Sequence, residues 1–218
     1  MKKEYPRKRH FLLLAAALLA ACGTTPPAGS RYDFGPVPAA AAAPAQAAEM
    51  PPGVVVVAPV WLDSPSVLYR LAYDDETQLH AYAQTQWVAA PSRLLEQALA
   101  SASAASAPRS CGDASATPAR IEVNLEEFSQ DFDSPRESHV VLRARVRVLA
   151  ARTHALLAQR QFDLRAPASS PDGPGAVHGL GGLARGFAAA ATAWAGSCPA
   201  ELSATAPLRQ QGLAPGGN

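Results

Sequence analysis

The chain has 218 residues, with 19 Lys or Arg against 18 Asp or Glu, a formal net charge of +1, and 48% hydrophobic residues of which few are aromatic. The cations are uneven: beyond residue 21 there are 14 basic residues, all Arg, against 17 acidic ones, a balance of about −3. A mildly acidic, Lys-free body argues against nucleic-acid binding, which rests on clustered cations neutralising phosphates, and against a polybasic membrane patch.

Lys2, Lys3, Arg7, Lys8 and Arg9 precede an unbroken apolar run from Phe11 to Ala21. That run is about half of the roughly 20 residues a bilayer-spanning helix needs, so the pattern is that of a secretory signal and not a permanent span. It ends Leu19-Ala20-Ala21-Cys22, which looks like a bacterial lipobox. Two small residues fit a narrow protease subsite, and the Cys22 sulfur supplies the nucleophile for a diacylglyceryl thioether. The alternative is an ordinary signal peptide cut elsewhere, with Cys22 incidental. On the lipobox reading, residues 1–21 are the signal peptide and Cys22 is the lipid-bearing first residue of the mature protein. A further acyl chain, such as palmitate, on the freed amine makes the attachment stable, at about 0.8 kcal/mol per buried CH₂. Residue 23 is Gly, not the Asp that resembles an inner-membrane retention signal. By the lipoprotein sorting rule, the destination in a Gram-negative cell is then the periplasmic face of the outer membrane.

Residues 22–52 are rich in Ala, Pro and Gly, a composition that buries too little apolar surface to offset chain entropy and reads as a tether. Residues 53–198 are expected to form one domain, and 199–218 a disordered tail. Val54 to Val60 is a β-branched run, Val67 to Tyr73 alternates, and Gln78 to Trp87 alternates again; these read as three strands. Pro91 or Ser92 opens a helix whose stripe is Leu94, Leu95, Ala98 and Leu99, dying out in the Ser/Ala run that follows.

Ile121, Val123 and Leu125 alternate with Glu122, Asn124 and Glu126; after a polar connection over Asp131–Ser138, Val140 to Val148 alternates with Arg143, Arg145 and Arg147. Paired antiparallel, the acidic row meets the arginine row, with Glu126 near Arg143 and Glu122 near Arg147. The three arginines therefore read as a sheet face neutralised by its neighbour in preference to an anion site. Ala155 to Leu164 reads as a further strand, and Ala176 to Trp194 as a closing helix after a Pro/Ser/Gly loop. The fold class is α+β: a single domain in the order βββα-βββα, with helices packed on one face of a mixed or antiparallel sheet.

Cys111 and Cys198 remain after lipidation. In an oxidising periplasm they are a candidate disulfide, with two free buried thiols as the alternative; neither has a His or Cys at metal-ligand spacing. No catalytic set emerges. His80, His139, His154 and His178 lack an acid or Cys partner at triad or metal spacing, Gly173-Pro174-Gly175 follows a loop and not a strand, and no Gly-rich Lys/Ser phosphate loop exists. The sequence calls for no cofactor and no metal, and displays neither a nucleophile with its base nor an ATP site.

Several pieces together are similar to a known family. They are the lipobox, Ser30 to Pro36 (SRYDFGP), the segment Val54 to Leu99 with its Leu68-Tyr69-Arg70 strand and Tyr82, Trp87 and Pro91, and a final amphipathic helix. In these the chain resembles the ABC-type transport auxiliary lipoproteins, the family that includes the PqiC lipoprotein. The resemblance implies a non-enzymatic component of an MCE-type system moving lipids or other hydrophobic molecules across the envelope. Its implied partners are an MCE-domain periplasmic protein and inner-membrane ABC and permease components, with the lipoprotein itself a homo-oligomer. Trp61, Tyr69, Tyr82 and Trp87 are then candidate ligand or interface residues. The rival reading is a periplasmic lipoprotein that binds a lipid or small hydrophobic ligand, with these aromatics and Tyr73 lining a pocket.

Overall fold

The two longest strands, of 16 and 14 residues, are those with the cleanest alternation. In the computed structural model, which describes residues 29–36, 53–105, 119–150 and 152–197, strands β5 (Ala119–Ser134), β6 (Glu137–Ala150) and β7 (Leu156–Pro167) form an antiparallel run. Ile121, Val123, Leu125 and Phe128 of β5, and Val140, Leu142, Ala144, Val146 and Val148 of β6, are buried together on one face. The β5 set moves from odd to even numbers after Leu125, which would turn Phe128 away from the core in a regular strand. A register shift between Leu125 and Glu127 inserts the extra residue and restores the side. The expected polar connection over Asp131–Ser138 is corrected: β5 runs on to Ser134 and β6 starts at Glu137. The charges there belong to the uncovered face of the strands, where polarity does not end a ladder.

The first half is built less regularly. β2 (Val54–Val57) and β3 (Ser66–Leu71) both pair parallel with β5, β2 beside Ile121–Asn124 and β3 beside Ser129–Phe132. They lie end to end along one side of a single long strand. Between them, the carbonyl of Pro59 accepts the amide of Leu62 at 2.9 Å, a turn that takes the chain out of the ladder before Ser66 returns it. β4 (Asp75–Trp87) runs back antiparallel to β3.

Residues 30–36 fall inside the stretch expected as tether, yet they belong to the folded unit. β1 (Ser30–Tyr32) pairs parallel with Thr85–Trp87, and Phe34, 6% exposed, packs edge-on against Trp87 at 5.3 Å. A buried ring, three ladder residues and the hydrogen bond from the Val88 amide to the Tyr32 carbonyl at 2.8 Å help secure this segment. The sheet order is β1-β4-β3-β5-β6-β7, with β2 beside β5.

Helices α1 (Pro91–Ala105) and α2 (Gly173–Ala195) complete the order and share one hydrophobic cluster with the strands. Leu94, Leu95, Ala98 and Leu99 of α1 are buried, as their spacing requires. α2 begins three residues before Ala176. Asp172 caps it, accepting the amide of Gly175 at 2.8 Å and the Ser170 hydroxyl at 2.6 Å, with Pro174 in the opening turn. At Gly179 an added Cβ would lie 2.8 Å from a Val140 methyl, so the missing side chain is what lets α2 settle onto β6.

Candidate interaction surfaces

The four aromatics singled out by sequence do not share a site. Trp87 is 1% exposed and packs against Phe34 and Phe128, so it is corrected from candidate interface to core: its side of β4 faces the helices. Trp61 is 43% exposed in the turn after β2, and Tyr73 is exposed at the β3–β4 turn. Only Tyr69 and Tyr82 come together, with ring centroids 4.6 Å apart. His80 stacks on Tyr69 at 5.0 Å and Phe132 meets it edge-on at 5.9 Å, giving a half-buried aromatic shelf across β3, β4 and β5.

The shelf is fixed from beneath. Gln130, fully buried, accepts the Tyr82 hydroxyl at 2.6 Å and donates to the Ser138 hydroxyl at 2.8 Å and the Ser170 carbonyl at 3.1 Å. Burial, followed by the proximity of Tyr69 and Asp172, pushes the Tyr82 phenol well above its ordinary range, so it remains a donor. The network ties β4, β5, β6 and the loop before α2 through one amide. Sequence reasoning missed Gln130 because a lone Gln in an alternating strand carries no distinguishing signal.

The face of the sheet away from the helices is an ion-pair lattice. Arg147 bonds Glu122; Arg145 reaches Glu126 at 3.2 Å and Gln161 at 3.2 Å; Arg143 meets Asp163 at 3.5 Å; Arg70 meets Glu127 at 3.4 Å. The expected Glu122–Arg147 contact is present. The expected Glu126–Arg143 contact is not, because the bulge places Glu127 opposite Arg143 and hands Glu126 to Arg145.

Among the described residues two clefts indent the surface with a lining that includes none of the five aromatics. One is a shallow hollow of about 440 Å³ between Val57–Pro59 and Asn124–Glu126. The other, about 340 Å³, lies between the β1 segment and the first half of α2. Its lining includes Arg31, Tyr32, Val88, Val177, His178 and Arg185. Arg185 donates to the carbonyl of Phe34, and at Gly181 an added Cβ would lie 3.3 Å from that oxygen, so a glycine lets strand segment and helix approach. Gly35 turns the chain beside them with φ of 78°, a left-handed conformation natural to glycine.

Cys22, Cys111 and Cys198 lie outside the described residues. Among the described residues no group of three or more His, Cys, Asp or Glu is placed to hold a metal ion, and no helix is long and apolar enough to cross a membrane.

The profile of the family described as "ABC-type transport auxiliary lipoprotein component" matches residues 32–203. Among solved structures, a Xanthomonas campestris protein is similar with a TM-score of 0.53 and 16% identity, over 66% of this chain and 83% of that one. An uncharacterised protein is similar with a TM-score of 0.53 and 16% identity, over 76% of this chain and 97% of its own. At such identities the likeness is one of fold alone. No curated protein sequence matches the chain.

Proposed function

Because the chain belongs to the ABC-type transport auxiliary lipoprotein family, we propose that it is the lipid-anchored, non-catalytic auxiliary component of an MCE-type transport system in a Gram-negative envelope. In this reading Cys22 carries the acyl chains and holds the protein at the periplasmic face of the outer membrane. The sheet-and-helix domain meets an MCE-domain partner that connects to inner-membrane ABC and permease components. The cargo is lipid or another hydrophobic molecule, and several copies act together.

The observation that carries this reading is the family match from Tyr32 to residue 203, which runs from the last residue of β1 through α2. The lipobox Leu19-Ala20-Ala21-Cys22 supplies the anchor. Stable attachment needs two or more chains, which lipidation of thiol and amine at one residue provides.

Crosslinking in intact envelopes followed by affinity capture tests the partnership: an MCE-domain protein and transporter subunits are expected, and recovery of neither overturns it. Cys22→Ala tests the anchor. The variant is expected to lose palmitate labelling and membrane fractionation, to keep the wild-type melting temperature, and to lose transport; transport by the soluble variant would sink the anchoring role.

A further inference from the structure

We propose that the cleft between β1 and the first half of α2 seats the phosphate-bearing head of a lipid drawn from the membrane that holds Cys22. Three observations point there: the state of its cations, its apolar wall, and its distance from the anchor.

The cations differ from those of the ion-pair lattice on the open face. On the open face Arg70, Arg143, Arg145 and Arg147 each have a carboxylate partner. In the cleft, among the described residues, Arg31 and His178 have no ion pair, and Arg185 commits one N–H to the Phe34 carbonyl. A guanidinium has five N–H donors, so Arg185 is fixed in place with donors to spare. The only acid in the lining, Asp33, already accepts the Gly35 amide at 2.8 Å. Two arginines with free donors on one cleft suit a phosphate, which takes paired charge-assisted hydrogen bonds.

The wall beside them is apolar. Val88, 52% exposed, lines the cleft together with Tyr32 and the buried Val177. A free phosphate would use the arginines and leave that surface wet, whereas the glycerol and first methylenes of a lipid would cover it.

The third observation is reach. Since β1 starts at Ser30, only residues 23–29 separate the sheet from Cys22. Fully extended, that leash is no longer than about 29 Å, so the β1 segment is the part of the domain tied nearest to the bilayer. The choice of a membrane lipid, though not the cleft itself, rests on reading Cys22 as the lipidated residue.

The test uses the mature chain as Cys22→Ala in solution, titrated separately with dodecyl phosphate below its micelle concentration, dodecyl maltoside and inorganic phosphate, and followed by amide chemical shifts. Dodecyl phosphate is expected to shift residues 31–35, 88 and 177–185. Arg31→Gln, at an exposed position, is expected to weaken it about tenfold, the loss of one charge-assisted contact, and Arg31→Lys to recover part of that loss. Arg185→Gln is expected to weaken it further, with shifts of Phe34 and Trp87 reporting whether the packing survives. Three results overturn the proposal: no shifts in the cleft, equal binding of the neutral maltoside, or inorganic phosphate binding as tightly as the alkyl ester. Palmitate labelling of wild-type protein reads the anchor independently; its absence with dodecyl phosphate binding intact removes the membrane as the source and leaves the cleft standing.

Discussion

The two faces of this sheet come from one alternating pattern and are held in unlike ways. Toward the helices, Phe128, Leu142 and Trp87 are in a dry cluster that closes over them with Phe187, Leu95 and Leu99. Away from the helices, Arg143, Arg145 and Arg147 stand in water-accessible pairs with Asp163, Glu126 and Glu122. The covered face depends on volume and shape, the open one on charge balance. Fully buried side chains have no substitute for their contacts, while exposed ions exchange partners with water and salt at little cost.

Substitutions chosen from each face make that contrast measurable. The largest effect is expected from Phe128→Ala, which empties the space between Phe34 and Trp87. A loss of about 3 to 5 kcal/mol in denaturant unfolding follows from the removed contacts and the cavity left behind. A loss below about 1 kcal/mol would mean that the aromatic cluster is not the centre of the core.

An intermediate effect is expected where the helical layer starts. Asp172→Ala removes the cap of α2, worth about 1 kcal/mol. The Ser170 hydroxyl, then the Gly175 amide, hold the Asp172 carboxyl below its usual range. A carboxyl depressed in the folded state adds stability above its unfolded value near about 3.9, and that addition fades as pH falls through the lower folded value. Wild type and Asp172→Ala should therefore differ at pH 7 and converge in strong acid; a constant gap would show that the lost interaction is not with the ionised form.

The smallest effect belongs to the open face. Arg147→Ala is expected to cost about 1 kcal/mol and to shrink in high salt, as partly exposed pairs do. A salt-independent loss of several kcal/mol would show that the lattice is as tightly specified as the core, and the contrast between the faces would collapse.

Much of this fold is legible from the chain. The alternation over Ile121–Leu125 and Val140–Val148 identifies the strands and their faces, and the Leu94, Leu95, Ala98, Leu99 spacing identifies α1. What escapes is set by partners distant in sequence. β2 and β3 read as separate strands, but nothing in them says that both lie along β5. The Ser30–Phe34 segment is too short to announce itself, since its place depends on Thr85–Trp87 and on a slot beside Trp87. The cap at Asp172 is readable from Asp-Gly-Pro, yet it hides in a stretch whose Pro, Ser and Gly content resembles a loop. The candidate cleft is the least legible part, because Arg31 and Arg185 are 154 positions apart and only the fold brings them together.

The inclusion of β1 also changes what a protease would do. A cut anywhere in residues 37–52 divides the chain into an N-terminal piece that carries Cys22 and the rest of the domain, but it does not by itself release one from the other. The leader still threads three ladder residues beside β4 and leaves Phe34 in the core. The covalent link there is redundant with a non-covalent latch, so the two pieces of a nicked protein stay together for as long as that latch holds, and on the proposed lipidation of Cys22 the domain keeps its anchor.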